Sequence, residues 1–174
     1  ILKQDSEYRE LLESIKKEKL PLAAYGLSTI HKAVLASALR AHLDKKIVLI
    51  TYDEASAFEL CDNLTSLQNK ALMLPLRDYN LTDFTGYSRE YEYKRLDTLS
   101  KVLDGDFDML CLSLEAALQR TLPPEILKKS RFKLKAGQDI DLNELINHLL
   151  EVGYVRSEMT DGKGLFSCRG GIID

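Results

Sequence analysis

No run of about 18 apolar residues occurs in this chain of 174 residues, so the sequence offers no membrane-spanning helix. The N-terminus also lacks the charged, apolar and small-residue succession of a signal peptide. Basic excess is missing too. The 24 Lys and Arg against 27 Asp and Glu leave a formal net charge of −3, which argues against a broad nucleic-acid surface and leaves room only for a local basic patch. Cysteine is sparse: Cys61, Cys111 and Cys168 are odd in number and far apart, without C-x-x-C or Cys/His ligand spacing. Three reduced thiols in a cytoplasmic protein are therefore expected, with no metal centre and no cofactor.

What is present is an ordinary globular composition, 45% hydrophobic and 29% charged. The length suits one medium domain, or one domain and the start of another. The chain opens on Ile1 and stops at Gly170-Gly171-Ile172-Ile173-Asp174, where a strand is expected to begin. A fragment of a longer protein is the expectation.

The organising stretch is Leu22 to Leu43. An apolar segment, Leu22-Ala23-Ala24-Tyr25, reads as a strand running into Gly26. Ile30, Val34, Leu35, Ala38, Leu39 and Leu43 then recur at helical spacing. Strand, glycine turn and helix are the local plan of a phosphate-binding loop, G-x-x-x-x-G-K-[ST]. Here the window reads Gly26-Leu27-Ser28-Thr29-Ile30-His31-Lys32-Ala33. Gly26 and Lys32 stand in place, but His31 replaces the second glycine and Ala33 the hydroxyl that would hold Mg²⁺. A Cβ at the second glycine obstructs the amides that turn towards the β-phosphate, and without the hydroxyl the metal loses a ligand. The expectation is a loop that kept a fold and lost a reaction.

The order of elements supports an α/β class. Residues 1–19 read as a charged helix with Leu2, Tyr8, Leu11, Leu12 and Ile15 as its apolar stripe. Ile47-Val48-Leu49-Ile50 reads as a parallel strand buried on both faces. Asp53 is placed to cap a helix with Ala57, Leu60, Leu64 and Leu67 on one face, and Ala71–Leu74 forms the next strand. Leu76 to Tyr93 breaks the pattern with tyrosines among acids and arginines. Stacking on unpaired bases is weighed there against packing on the domain surface, and the acidic balance favours packing. Phe107 to Leu112 is another buried strand, but Asp106 and Asp108 precede it, where a Walker B carboxylate belongs at its far end. Glu115, expected in a short helix, is the one acid placed to face a metal. Repeated strand and helix predict a parallel sheet flanked by helices over 1–122.

Pro123-Pro124 and Lys128-Lys129 mark a boundary to a smaller, partial α+β domain, 123–174. Arg131 to Lys135 alternates like a half-exposed strand. Asp141 caps a helix whose face is Leu142, Leu145, Ile146, Leu149 and Leu150, with Gly153 as its stop. Tyr154-Val155 and Leu165 to Cys168 are expected to pair as a hairpin across Asp161–Gly164. Arg169 precedes Gly170-Gly171, which suggest a bulge or close backbone approach that re-aims it. A guanidinium fixed on a strand suits recognition of a partner's carboxylate, although a local ion pair is the plainer role.

Residues 134–142 (LKAGQDIDL), 150–156 (LEVGYVR) and 164–174 (GLFSCRGGIID) resemble the UvrB-like N-terminal module of bacterial transcription-repair coupling factors (Mfd). The resemblance extends back through Leu74-Pro75, Ser88-Arg89-Glu90 and Lys94-Arg95-Leu96 to the degenerate loop. It implies a P-loop-like subdomain followed by part of an inserted domain that docks on UvrA, the damage-recognition ATPase of nucleotide excision repair. UvrB itself has a working phosphate loop and a long tyrosine-rich hairpin, and this chain departs from both. The resemblance further implies that Arg169 contributes to the UvrA contact. The rest of a parent chain, an ATP-dependent translocase, is implied as an intramolecular partner. The expected role is a non-catalytic, cytoplasmic adaptor without direct nucleic-acid or membrane contact. The rivals are a divergent ATPase or helicase fragment using Lys32 and Glu115, and an autoinhibitory structural domain.

Overall fold

The computed structural model describes residues 5–77 and 90–174. By compactness the chain divides into two units, Ile1–Arg120 and Thr121–Asp174. The first is mixed α/β: a parallel sheet flanked by helices.

In the first unit, α1 (Ser6–Lys16) starts at Asp5, whose carboxylate accepts from the Tyr8 amide. Helix α2 (Thr29–Leu43) carries neither Gly nor Pro and is rich in alanine, which favours helix intrinsically. It ends at Asp44, a left-handed residue with φ 50°. Strands β1 (Ile47–Thr51), β2 (Ala71–Leu74) and β3 (Met109–Ser113) pair in the order β1-β3-β2. All of this pairing is parallel, so each strand must be regained by a crossover, which α3 (Glu54–Ser66) and α4 (Glu90–Asp104) provide. Asp53 caps α3 through the Ser56 amide. Ser113 caps the short helix α5 (Leu114–Leu118), accepting from Ala116.

Alternation along the strands divides the core in two. On one face, Met109 and Cys111 with Ile47, Leu49, Ala71 and Met73 pack against Ala33 and Ala36 of α2 and Leu60, Cys61 and Leu64 of α3. On the other, Leu74, Leu112 and Ala116 cluster with Leu76, Leu99 and Leu110. That second cluster lies over β2 and β3, so β1 is not buried on both faces as its composition predicts. Val48 and Ile50 are exposed because β1 is an edge strand and contributes nothing to that cluster. Helix α4 is tied down by polar contacts as well. The buried Arg95 donates to the Pro75 carbonyl at 2.6 Å and the Ala116 carbonyl at 3.3 Å, and Thr98 Oγ1 donates to the Met73 carbonyl at 2.9 Å.

Two further expectations fail in this unit. Leu22–Tyr25 forms no strand: the segment is exposed, and β1 takes no partner from it. The buried face of α2 centres on Ala33 and Ala36, while Ile30 is exposed, because small side chains let α2 approach α3 closely. The aromatic segment read between Leu76 and Tyr93 lies, for residues 78–89, outside the described residues.

The second unit holds α6 (Pro124–Lys129), α7 (Leu142–Glu151) and four two-residue strands, β4 (Val155–Arg156), β5 (Leu165–Phe166), β6 (Cys168–Arg169) and β7 (Ile172–Ile173). Pro124 opens α6, where a missing N–H costs nothing. Asp141 caps α7 by accepting from the Asn143 and Glu144 amides, and Gly153 takes φ 95° beyond its end. Leu127, Leu149 and Phe166 are its buried apolar residues. Residues 131–135 form no strand; Phe132 packs edge-on against His148, centroids 4.8 Å apart. Strands β4 and β5 pair in parallel, Val155 opposite Leu165, so the expected hairpin is corrected. The antiparallel hairpin is β6–β7, with Arg169 opposite Ile172.

Candidate functional site

The residues of the expected phosphate loop go to different surroundings. Gly26 takes φ 74° and a Cβ there would meet nothing within 4 Å, so its freedom serves a turn in the chain rather than a close approach. His31 Nδ1 lies 3.0 Å from Ser28 Oγ, and its ring borders a cavity of about 400 Å³ that it shares with Tyr8 and Tyr25. Lys32 is exposed and borders another cavity, about 540 Å³, beside Thr51 and Tyr52 at the β1 edge. Ala33 is 0% exposed within the α2–α3 core. His31 and Lys32 are thus neighbours in sequence that line separate cavities, and the methyl at Ala33 points into packing.

The acids near the sheet are occupied structurally. Asp108 Oδ1 accepts from Arg40 Nε at 3.1 Å and pairs with Arg40 Nη2 at 2.9 Å, while Oδ2 accepts from the Lys70 amide at 3.1 Å. The Lys70 backbone N–H above all, and then Arg40, hold its carboxyl below the ordinary range against the opposing effect of burial. Asp106 pairs with Lys70 Nζ at 2.7 Å, which lowers its pKa likewise. Both acids join the starts of β2 and β3, away from the strand ends where a metal would sit. Glu115 lies exposed in α5. Among the described residues no group of three or more His, Cys, Asp or Glu could hold a metal ion. Cys61 and Cys111 are buried, and contact with Cys61 together with burial pushes the Cys111 thiol up. No helix among the described residues is long and apolar enough to cross a membrane.

Arg169 stands in a different setting. Gly170 adopts φ 61°, the positive value that a two-residue primed hairpin turn demands, so the glycine pair is a turn and not a bulge. The Ser167 amide donates to the Asp174 carbonyl, and the Asp174 amide to the Ser167 carbonyl, both at 3.1 Å. These bonds close the hairpin and fix the strand that carries Arg169. Its side chain is 76% exposed, and Nη2 reaches Asp174 Oδ2 at 3.2 Å. Arg156 reaches the same strand, with Nη2 3.5 Å from the Cys168 carbonyl. Sequence reasoning singled out Arg169 but missed Asp174 as its neighbour. The signal was there: an acid five residues on, across a Gly-Gly turn, returns to the arginine's side.

The β6–β7 hairpin thus presents an exposed guanidinium held at one point by Asp174. Residues 132–174, which include this hairpin, match the family of the UvrB interaction domain. The similarity to particular proteins then runs through the whole chain. It is 32% identical over 176 residues to the transcription-repair-coupling factor of Bacillus subtilis, covering 99% of this chain and 15% of that protein. The Staphylococcus epidermidis factor is 26% identical over 175 residues and that of Staphylococcus aureus 25% over 176, each again covered over 15% of its length. The chain resembles the UvrB-like module of transcription-repair coupling factors, and spans about 15% of the length of these relatives.

Proposed function

We propose that this chain is a non-catalytic adaptor that recruits the UvrA repair protein to stalled transcription in the bacterial cytoplasm. On this reading 1–122 is a UvrB-like subdomain with a degenerate phosphate loop at Gly26, His31, Lys32 and Ala33. Residues 123–174 are part of the UvrA-docking domain, and Arg169 makes a charged contact with UvrA. The observation that carries it is the match of residues 132–174 to a UvrB interaction domain, in which the exposed Arg169 lies. The separation of His31 from Lys32 and the burial of Ala33 support the loss of nucleotide chemistry. The rest of a longer parent chain is proposed as the second partner.

Calorimetric titration of UvrA with this chain tests the reading. Arg169→Ala is expected to weaken binding about tenfold, the effect of losing one anchoring charge at an interface. Its melting temperature should stay put, because an exposed ion pair adds little to stability. A folded chain that shows no UvrA binding would refute the adaptor role. Micromolar Mg-ATP affinity lost in Lys32→Ala would instead revive the ATPase.

A further inference from the structure

We infer that Cys61 and Cys111 form a dithiol site that hydrogen peroxide converts into an intramolecular disulfide, locking α3 onto the central strand of the sheet. The sequence keeps these residues far apart, and the fold brings them together. Cys111 lies in β3, opposite Leu49 of β1 on one side and Met73 of β2 on the other. Cys61 lies on the buried face of α3, between Ala57 and Leu64. Both belong to one packed cluster, and the backbones of α3 and β3 approach within 8 Å. A disulfide spans Cα atoms up to roughly 6.8 Å apart. Ala57, one turn before Cys61, has no bulk to hold α3 off the sheet.

The two thiols have unequal parts. Cys111 is 0% exposed, whereas Cys61 is 8% exposed and is the end that a small oxidant reaches. The Cys111 thiol, above all, draws the Cys61 pKa below the ordinary thiol value against burial, and the same contact with burial pushes Cys111 up. Cys61 is therefore the attacking thiolate, and Cys111 keeps its proton. In the first step the Cys61 sulfur attacks one peroxide oxygen and the O–O bond breaks. Hydroxide leaves, takes up a proton as water, and Cys61 becomes a sulfenic acid. In the second step the Cys111 sulfur attacks that sulfenic sulfur and the S–O bond breaks. The hydroxyl leaves with the Cys111 proton as a second water. Two thiols thus give up two electrons, and one peroxide is reduced to two waters. The new bond closes a loop of about 50 residues in the unfolded chain, so oxidation stabilises the folded sheet unit.

The test uses the Cys168→Ser chain, whose cysteines are then Cys61 and Cys111. Native protein is treated with hydrogen peroxide and mapped by mass spectrometry without reduction. The expected product has lost two hydrogens and carries a Cys61–Cys111 cross-link that dithiothreitol removes. Its melting temperature should exceed that of the reduced chain by roughly 5–10 °C. In Cys111→Ala on the same background the reaction should stop at a Cys61 sulfenic acid that dimedone traps. In Cys61→Ala, Cys111 should stay reduced while the protein is native. Three results overturn the inference: a native pair that stays reduced in peroxide, Cys61 carried to sulfinic acid beside a reduced Cys111, or a disulfide that leaves the melting temperature unchanged. The map and the melt of the Cys168→Ser chain involve no core substitution, so they decide the matter even if a core variant does not fold. UvrA binding enters none of these readouts, so the adaptor reading stands or falls separately.

Discussion

At Asp108 one carboxylate joins three elements. It accepts from Arg40 of α2 and from the Lys70 amide at the start of β2, and it stands just before β3. Asparagine there would turn an N–H₂ towards either Arg40 or the Lys70 N–H, donor against donor. Asp108→Asn should therefore destabilise the protein by roughly 1–3 kcal/mol at neutral pH, towards the lower end because the carboxylate is partly exposed. The pH dependence follows from the direction of its shift. Its folded pKa lies below the ordinary 3.8, so its contribution is full above 3.8 and is lost as pH falls through the folded value. The stability difference between parent and Asp108→Asn should accordingly shrink below pH 3.8, measured by urea denaturation across that range. A difference that does not depend on pH would exclude this account. An acid of this kind, adjacent to a strand, is easily taken for a catalytic one by position alone. Its hydrogen bonds assign it to architecture.

At the scale of an element, α2 explains why the loop's chemistry would not return with its side chains. Its close approach to α3 depends on alanine at positions 33 and 36. Ala33→Thr restores the residue type that binds Mg²⁺ in a phosphate loop, but places a hydroxyl and an extra methyl in a packed core. The expected cost is roughly 1–3 kcal/mol from overpacking and a buried hydroxyl, read as a lower melting temperature. No Mg-ATP binding should appear in either Ala33→Thr or the His31→Gly, Ala33→Thr pair. The preceding segment Leu22–Tyr25 forms no strand to present a loop, so the site lacks its frame as well as its ligands. Nucleotide binding by the pair at micromolar concentration would show that the frame is present after all.

At the scale of the molecule, the division into Ile1–Arg120 and Thr121–Asp174 separates a sheet core from a small unit of two helices and four short strands. The first has two apolar clusters and its own crossovers, enough to fold without the second. The piece 1–122 should therefore unfold in one cooperative transition, by calorimetric scanning, yet show no UvrA binding. Binding retained by that piece would move the recognition surface to the sheet unit and away from Arg169.

Periodicity and caps were enough to read the elements that local chemistry decides. Ala57, Leu60 and Leu64 of the α3 face, the strand at Ala71–Leu74, and the Asp53 and Asp141 caps stand where the sequence puts them, whereas Leu67, read on the same face, is the exposed C-cap residue of α3. These depend on contacts a few residues apart. The misreadings share one cause: they concern what lies opposite a segment, which sequence spacing does not contain. Leu22–Tyr25 has the composition of a strand but no partner, Val48 and Ile50 that of a central strand but an edge position, and Leu165 pairs in parallel with Val155. The Gly170-Gly171 pair was read as a bulge or a close backbone approach and is the turn of a hairpin, with Gly170 at a φ of 61° that glycine takes at no steric cost. That the turn returns Ile172 opposite Arg169 and closes on Asp174 was decided by strand pairing, since a one-residue change of register would send Ile172 to the other face.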